Sequence, residues 1–311
     1  MAVIQLLISG VSLGCIYALI ALGFVLIYKA TETFNFAQGE LMMLGASDGV
    51  LLMKVGGWSF WVAAPVAIVA MFLLGMAPVR LVIHPILGQP QFTIVMLTIG
   101  VGYVARGLIS MIPEFGTETH ALAAPYKGEV INLGGAVISV EQVAIIGVTA
   151  VLCGALFAMF RFSKLGIAMQ AASQNQLAAY YMGIPVRRIN GLVWGLSAAV
   201  AALAGLLLAP ITFVHANMGF IGLKAFPAAV VGGFGSLPGA IVGGLVIGLV
   251  EAFAGFYLPE GFKDIAACVV VLVMLVVKPS GLFGGAMRKK VWQMVRRLTW
   301  QFATHAHPVH R

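Results

Sequence analysis

Phe34-Asn-Phe-Ala-Gln-Gly-Glu40 places two side-chain amides and a carboxylate between two strongly apolar stretches. In such surroundings Asn35, Gln38 and Glu40 have two uses. They can hold helices together by hydrogen bonds, or, with Gly39, line a substrate path where a helix is interrupted. Arg106 and Glu251 are the other ionisable groups inside apolar segments, and such residues are candidates for function. Each stands about six residues from one end of its segment, where Arg snorkels and Glu reaches water; structural pairing or solvation is the expectation for both. No chain of Asp, Glu and His runs through the apolar segments, which argues against a proton-driven carrier. The sequence has no GxxxxGK[ST] phosphate loop, no zinc-type His/Cys spacing and no supported Ser/His/Asp arrangement, so neither a catalytic residue nor a metal ligand is assigned. Cys15, Cys153 and Cys268 fall in separate apolar runs and read as small core residues. His305, His307 and His310 read as a disordered tail cluster or an adventitious metal binder.

The elements that position these groups must lie in a membrane. Of 311 residues, 61% are hydrophobic and 9% charged, against about 45–50% apolar for soluble domains. The mean hydropathy is +1.04. Eight apolar segments follow one another: 3–28, 36–53, 58–79, 91–112, 141–160, 189–214, 225–256 and 262–277. Helices are required because a chain in lipid satisfies its own backbone. The fold class is therefore an all-α polytopic membrane protein.

Orientation follows the positive charges. Arg161, Lys164, Arg187 and Arg188 mark one loop as cytoplasmic, as do Arg288, Lys289, Lys290, Arg296, Arg297 and Arg311 after the last span. Glu114, Glu118, Glu129 and Glu141 against Lys127 mark the 113–141 loop as the outer face. These signs leave one crossing too many. The stretch 225–256, broken by Gly232, Gly233, Gly235, Ser236, Pro238 and Gly239, is therefore expected to be a re-entrant hairpin from the outer side, leaving seven transmembrane helices, the N-terminus outside and the C-terminus inside. Its glycine backbone is the expected gate.

Residues 171–185 predict a short helix outside the membrane. Ser173 and Gln176 fit a capping box, with Asn175 and Ala179 within the helix, Gly183 at its left-handed end and Pro185 just beyond. A helix with both ends specified is a rigid knob for a partner, or an ordinary connection. Residues 1–285 read as one membrane domain and 286–311 as a cytoplasmic tail, in which Val291, Val295, Leu298 and Phe302 share a helical face suited to the anionic inner leaflet. Lipid therefore accounts for most of the net charge of +8, and nucleic-acid binding is not needed to explain it.

Three stretches, 12–46, 171–210 and 232–253, together with "VVKPSGLFG" at 276–284, resemble LivH-type permeases, the membrane subunits of ATP-binding-cassette importers for branched-chain amino acids. The resemblance implies a heterodimer with a second, related permease in the bacterial inner membrane, two cytoplasmic ATPase subunits and an extracytoplasmic substrate-binding protein. ATP and Mg would be bound by the ATPases and no cofactor by this chain. It also implies that the helix from Ser173 to Gly183 is the coupling helix. "NFAQGE" departs from the family's usual "NFAHGE" at Gln38, keeping a hydrogen-bonding group but removing a titratable one. Permeases for urea, short amides or aromatic acids are similar enough to stand as alternatives. A self-contained channel or ion-driven carrier would need more midplane charge, and a membrane enzyme would need ligand pairs beyond His84 and His215, which lie near span ends.

Overall fold

A computed structural model describes residues 2–78, 91–113, 116, 118–133, 136–259 and 261–284. The basic tail, Arg80 and His84 lie outside the described residues. The helices are α1 (Ala2–Thr31), α2 (Gln38–Lys54), α3 (Phe60–Pro78), α4 (Gln91–Ser110), α5 (Val140–Phe162), α6 (Lys164–Gln174), α7 (Gln176–Tyr181), α8 (Val186–Thr212), α9 (Gly219–Lys224), α10 (Phe226–Gly232), α11 (Leu237–Tyr257) and α12 (Phe262–Val277). Two short antiparallel strands, β1 (Val130–Leu133) and β2 (Ala136–Ser139), pair from Val130↔Ser139 to Leu133↔Ala136 within the acidic loop.

Six helices among the described residues are long and apolar enough to cross a membrane, at 3–31, 60–77, 92–110, 140–162, 186–212 and 237–257. Sequence reading expects seven. The difference lies in α2 and α12, which with 17 and 16 residues are shorter than the six, and in α11, expected as part of a hairpin but long enough to cross.

α1 is apolar on every side, the pattern of a helix surrounded by protein, and 89% of its most hydrophobic stretch is buried. α11 runs antiparallel beside it. Their backbones touch: a Cβ at Gly14 would lie 2.8 Å from Leu245 Cα, and one at Gly248 would strike the backbone of Gly14. α8 is the next most enclosed, with 78% of its stretch buried, whereas α3, α4 and α5 are 22%, 17% and 22% buried and present apolar outer faces. The core is thus α1, α8, α11 and α2, with lipid-suited helices around it.

The 225–256 stretch doubles back at 233–236, as its glycines predict, but its limbs are unequal. The incoming limb, α10, has seven residues; the returning limb, α11, has 21, enough for a full crossing. The physical reason is that Ser236 and Pro238 begin a helix rather than interrupt one. Ser236 Oγ accepts from Gly239 N at 3.1 Å, and Pro238 occupies the first turn, where its missing N–H costs nothing.

Candidate functional site

α1 stops at Thr31, whose Oγ1 donates to Ile27 O at 2.9 Å, and Glu32 turns the chain with φ of 54°. The chain then climbs back along α1, so that Gln38 packs against Gly23 so closely that a Cβ there would collide with the Gln38 amide. Gly23 precedes Thr31 by eight residues, about 12 Å of helix. Gln38 therefore opens α2 inside the protein rather than at its edge.

The amides of the motif face inward. Asn35 and Gln38 are completely buried. Asn35 Oδ1 accepts from Ala37 N at 3.1 Å, and its Nδ2 donates to Gln38 Oε1 at 3.5 Å. Gln38 Nε2 donates to Ser197 O at 3.3 Å, while Ser197 Oγ lies 2.9 Å from Gly23 O and 3.0 Å from Gln38 Oε1. The network joins α1, α2 and α8 across 159 to 174 residues of sequence. Below it, Phe24, Tyr28, Phe34, Phe36, Phe226 and Phe234 pack ring against ring, with Phe34 and Phe234 centroids 4.8 Å apart. This collar fills the space under the re-entering chain.

A second returning segment meets the first from the opposite end. Val214, after α8, pairs with His120 by two backbone bonds of 2.8 and 2.7 Å, and His120 Nδ1 accepts from Lys54 Nζ, at the far end of α2, at 2.8 Å. From there residues 215–218 lead back to α9, whose Gly219 and Gly222 touch Gly39. Glu40 stands at this junction, paired with Arg106 of α4, and the pair is only 10% and 14% exposed. The Arg106 guanidinium lies 4.3 Å from the Phe220 ring centroid and 5.6 Å from that of Tyr103.

The remaining sequence-predicted residues lie elsewhere. Glu251 is buried in the α1–α11 seam, accepting from Tyr17 Oη at 2.5 Å with Lys263 Nζ at 3.5 Å. Gly232 packs against Gly239, and Gly233, with φ of 94°, fits against Ser280 and Gly284. The segment after α12 closes over this turn: Leu282 N donates to Val231 O at 2.8 Å and Phe283 N to Gly232 O at 3.1 Å. Gly235 faces open space.

The 171–185 segment is two helices. Ser173 belongs to α6, where its hydroxyl donates back to Gln170 O at 2.8 Å. Asn175, not Ser173, caps α7: its Oδ1 accepts from Ala178 N at 3.0 Å. Asn175 is extended, with φ of −158°, which breaks α6 from α7 and leaves Ser173 two residues too early to cap. Gly183, at φ 82°, is left-handed as its position predicts, and Gly183 N→Tyr180 O with Ile184 N→Ala179 O, both 3.0 Å, complete the helix end. Ala179 is buried, whereas Leu177, Tyr180, Tyr181 and Met182 are exposed. Gln176 Nε2 reaches Ala30 O in the last turn of α1 at 3.0 Å.

Residues 6–278 match the family described as the branched-chain amino acid transport system permease component. The chain belongs to that family. The high-affinity branched-chain amino acid transport system permease protein LivH of Escherichia coli (strain K12) is 32% identical, over 93% of this chain and 97% of LivH. LivM of the same system and strain is 25% identical, over 87% of this chain and 68% of LivM. The solved structure of PsaBC from Streptococcus pneumoniae in complex with Fab is 17% identical, with a TM-score of 0.50 over 90% of this chain and 92% of that chain. That last likeness is one of fold. This permease is accordingly a multi-pass membrane protein and a transport component.

Sequence reasoning singles out both Arg106 and Glu40 but not their pairing, because they lie 66 residues apart. It passes over Ser197, whose signal is faint: one small hydroxyl in the "LSAAVAAL" run. It also passes over the far reach of Gln176, which local capping rules do not describe.

Proposed function

We propose that this permease is the LivH-position subunit of an ATP-binding-cassette importer for branched-chain or other hydrophobic amino acids in a bacterial inner membrane. The observation that carries this reading is the family match across 6–278. The N-terminus lies outside and α7 inside. A second, related permease completes the membrane core, supported by the likeness of this chain to both LivH and LivM. ATP and Mg bind to two ATPase subunits, and an extracytoplasmic binding protein delivers substrate.

In this reading α7 is the coupling helix. Its exposed Leu177, Tyr180, Tyr181 and Met182 form an apolar knob beside the cationic Arg187 and Arg188, a surface of the size and chemistry that a groove on an ATPase would cover. The tie from Gln176 to Ala30 connects that knob to the base of α1 and so to the re-entrant segment. The translocation pathway passes the junction of the two returning segments, where Glu40 is the polar group of the motif that keeps some exposure. Asn35 and Gln38 act as the internal staple that holds Gly39 and Glu40 in place. The 232–236 turn, joined to the segment after α12 by the bonds from Leu282 and Phe283, is the gate in this reading.

The test is co-purification in mild detergent followed by reconstitution. Recovery of two ATPase subunits and a second permease, and ATP-driven uptake of leucine when the binding protein is added, is the expected result. A homo-oligomer that moves solute without ATPases would overturn the reading.

A further inference from the structure

The pair formed by Glu40 and Arg106 combines features that a purely structural tie does not need. Arg106 Nη2 donates to Glu40 Oε1, while Arg106 Nε is buried without a partner. The guanidinium has further N–H donors in its fixed fork and the carboxylate a second oxygen. Both side chains keep partial exposure, on a helix whose other face, at Val104 and Leu108, is open. An ion pair on a lipid-facing surface would be costly, so this surface faces either water or protein. The wall opposite is glycine: a Cβ at Gly219 would sit 2.9 Å from the Glu40 carboxylate and 3.3 Å from Arg106 Nη2. Phe220, half exposed, and Tyr103 supply apolar rings beside the charges.

We infer that Glu40 and Arg106 form an exchangeable clamp for the zwitterionic head of an α-amino acid in transit. This inference rests on the importer reading above and names the chemistry recognised at its pathway. The α-ammonium takes Glu40 and the α-carboxylate takes the fork of Arg106, including Nε, while an aliphatic side chain lies on Phe220 and Tyr103. The exchange conserves charge. A zwitterion separates the pair without leaving either member alone, whereas a ligand with one charge leaves the other member desolvated and unpaired, which is strongly unfavourable. Selectivity therefore follows from the pair itself: zwitterions pass, and urea, simple amides and monovalent acids or amines are disfavoured. The pair closes on itself again once the substrate leaves.

The test uses the whole membrane complex, with partner permease and ATPases but without binding protein, in nanodiscs. Equilibrium binding is measured for tritiated leucine, leucinamide, which lacks the carboxylate, and 4-methylpentanoate, which lacks the ammonium. In the unmodified complex leucine binds about tenfold or more tighter than either truncated ligand, the worth of one charge-assisted hydrogen bond. Arg106→Gln removes the advantage of leucine over leucinamide and preserves its advantage over 4-methylpentanoate; Glu40→Gln does the reverse. Equal weakening of all three ligands by both substitutions shows that the pair only ties α2 to α4 and overturns the clamp. If Arg106→Gln fails to assemble, Arg106→Lys replaces it, keeping the charge but losing the fork: leucine weakens severalfold and leucinamide does not, and an equal effect on both overturns the clamp. A complex that imports leucine yet binds none at this site refutes the clamp alone. A complex that assembles with its binding protein and imports no hydrophobic amino acid refutes the importer reading.

Discussion

Asn175→Ala and Ser173→Ala, two residues apart, should have opposite consequences. Helix α7 has six residues, too short to persist on its own propensity. What holds it is the Asn175 cap at one end, the left-handed Gly183 turn at the other, the buried Ala179 and the Gln176 tie to Ala30. Removing a cap of this kind costs about 1 kcal/mol, which shifts the balance between folded and frayed α7 about fivefold. Ser173→Ala removes only a bond from an exposed hydroxyl to Gln170 O on its own helix, within about 0.5 kcal/mol of neutral. Hydrogen exchange in the intact complex reads this directly: amides of residues 178–184 should exchange about fivefold faster in Asn175→Ala and at the original rate in Ser173→Ala. In proteoliposomes, leucine imported per ATP hydrolysed should fall in the first variant and hold in the second. Unchanged exchange across 178–184 in Asn175→Ala would refute the cap, and equal loss of coupling in both variants would refute the role given to α7.

Gly183 has nothing within contact of an added Cβ, so its constraint is φ of 82° alone; Gly183→Asn should keep most coupling, and Gly183→Val should lose about 1–2 kcal/mol of local stability, read from exchange at 179–184. Gly23→Ala drives a methyl into the Gln38 amide and should lower thermal stability in detergent by about 1–3 kcal/mol; an unchanged melting temperature would argue against the deep placement of Gln38. A cysteine at 121 or 127 should react with impermeant maleimide from outside and one at 180 only from inside, and the reverse pattern would invert the topology.

Much of the fold is legible in hydropathy, because a 20-residue apolar run has few fates other than a buried or lipid-facing helix. α1, α3, α4, α5 and α8 follow their segments closely for that reason. Where the chain turns back is less legible. The 36–53 run has the length of a span but carries Gln38, Glu40 and Asp48; the turn at Glu32 and the packing of Gln38 on Gly23 set where α2 begins, and packing depth leaves no periodic trace. The 225–256 run shows its turn through its glycines, yet whether Ser236 and Pro238 interrupt a helix or begin one depends on which side of them the helix lies. The candidate site is legible as residue types. Its pairings are not, since Glu40 with Arg106 and Gln38 with Ser197 are long-range contacts that a single sequence does not record.

The seam between α1 and α11 bears on mechanics. Side chains bend and exchange rotamers; peptide groups in contact do not. Where Gly14 and Gly248 bring the two backbones together, no compliant layer lies between them, so α1 and α11 must travel as a single stiff beam through any transport cycle. Strain generated elsewhere is then taken up where contacts run through side chains, as at the Phe34, Phe36 and Phe226 rings.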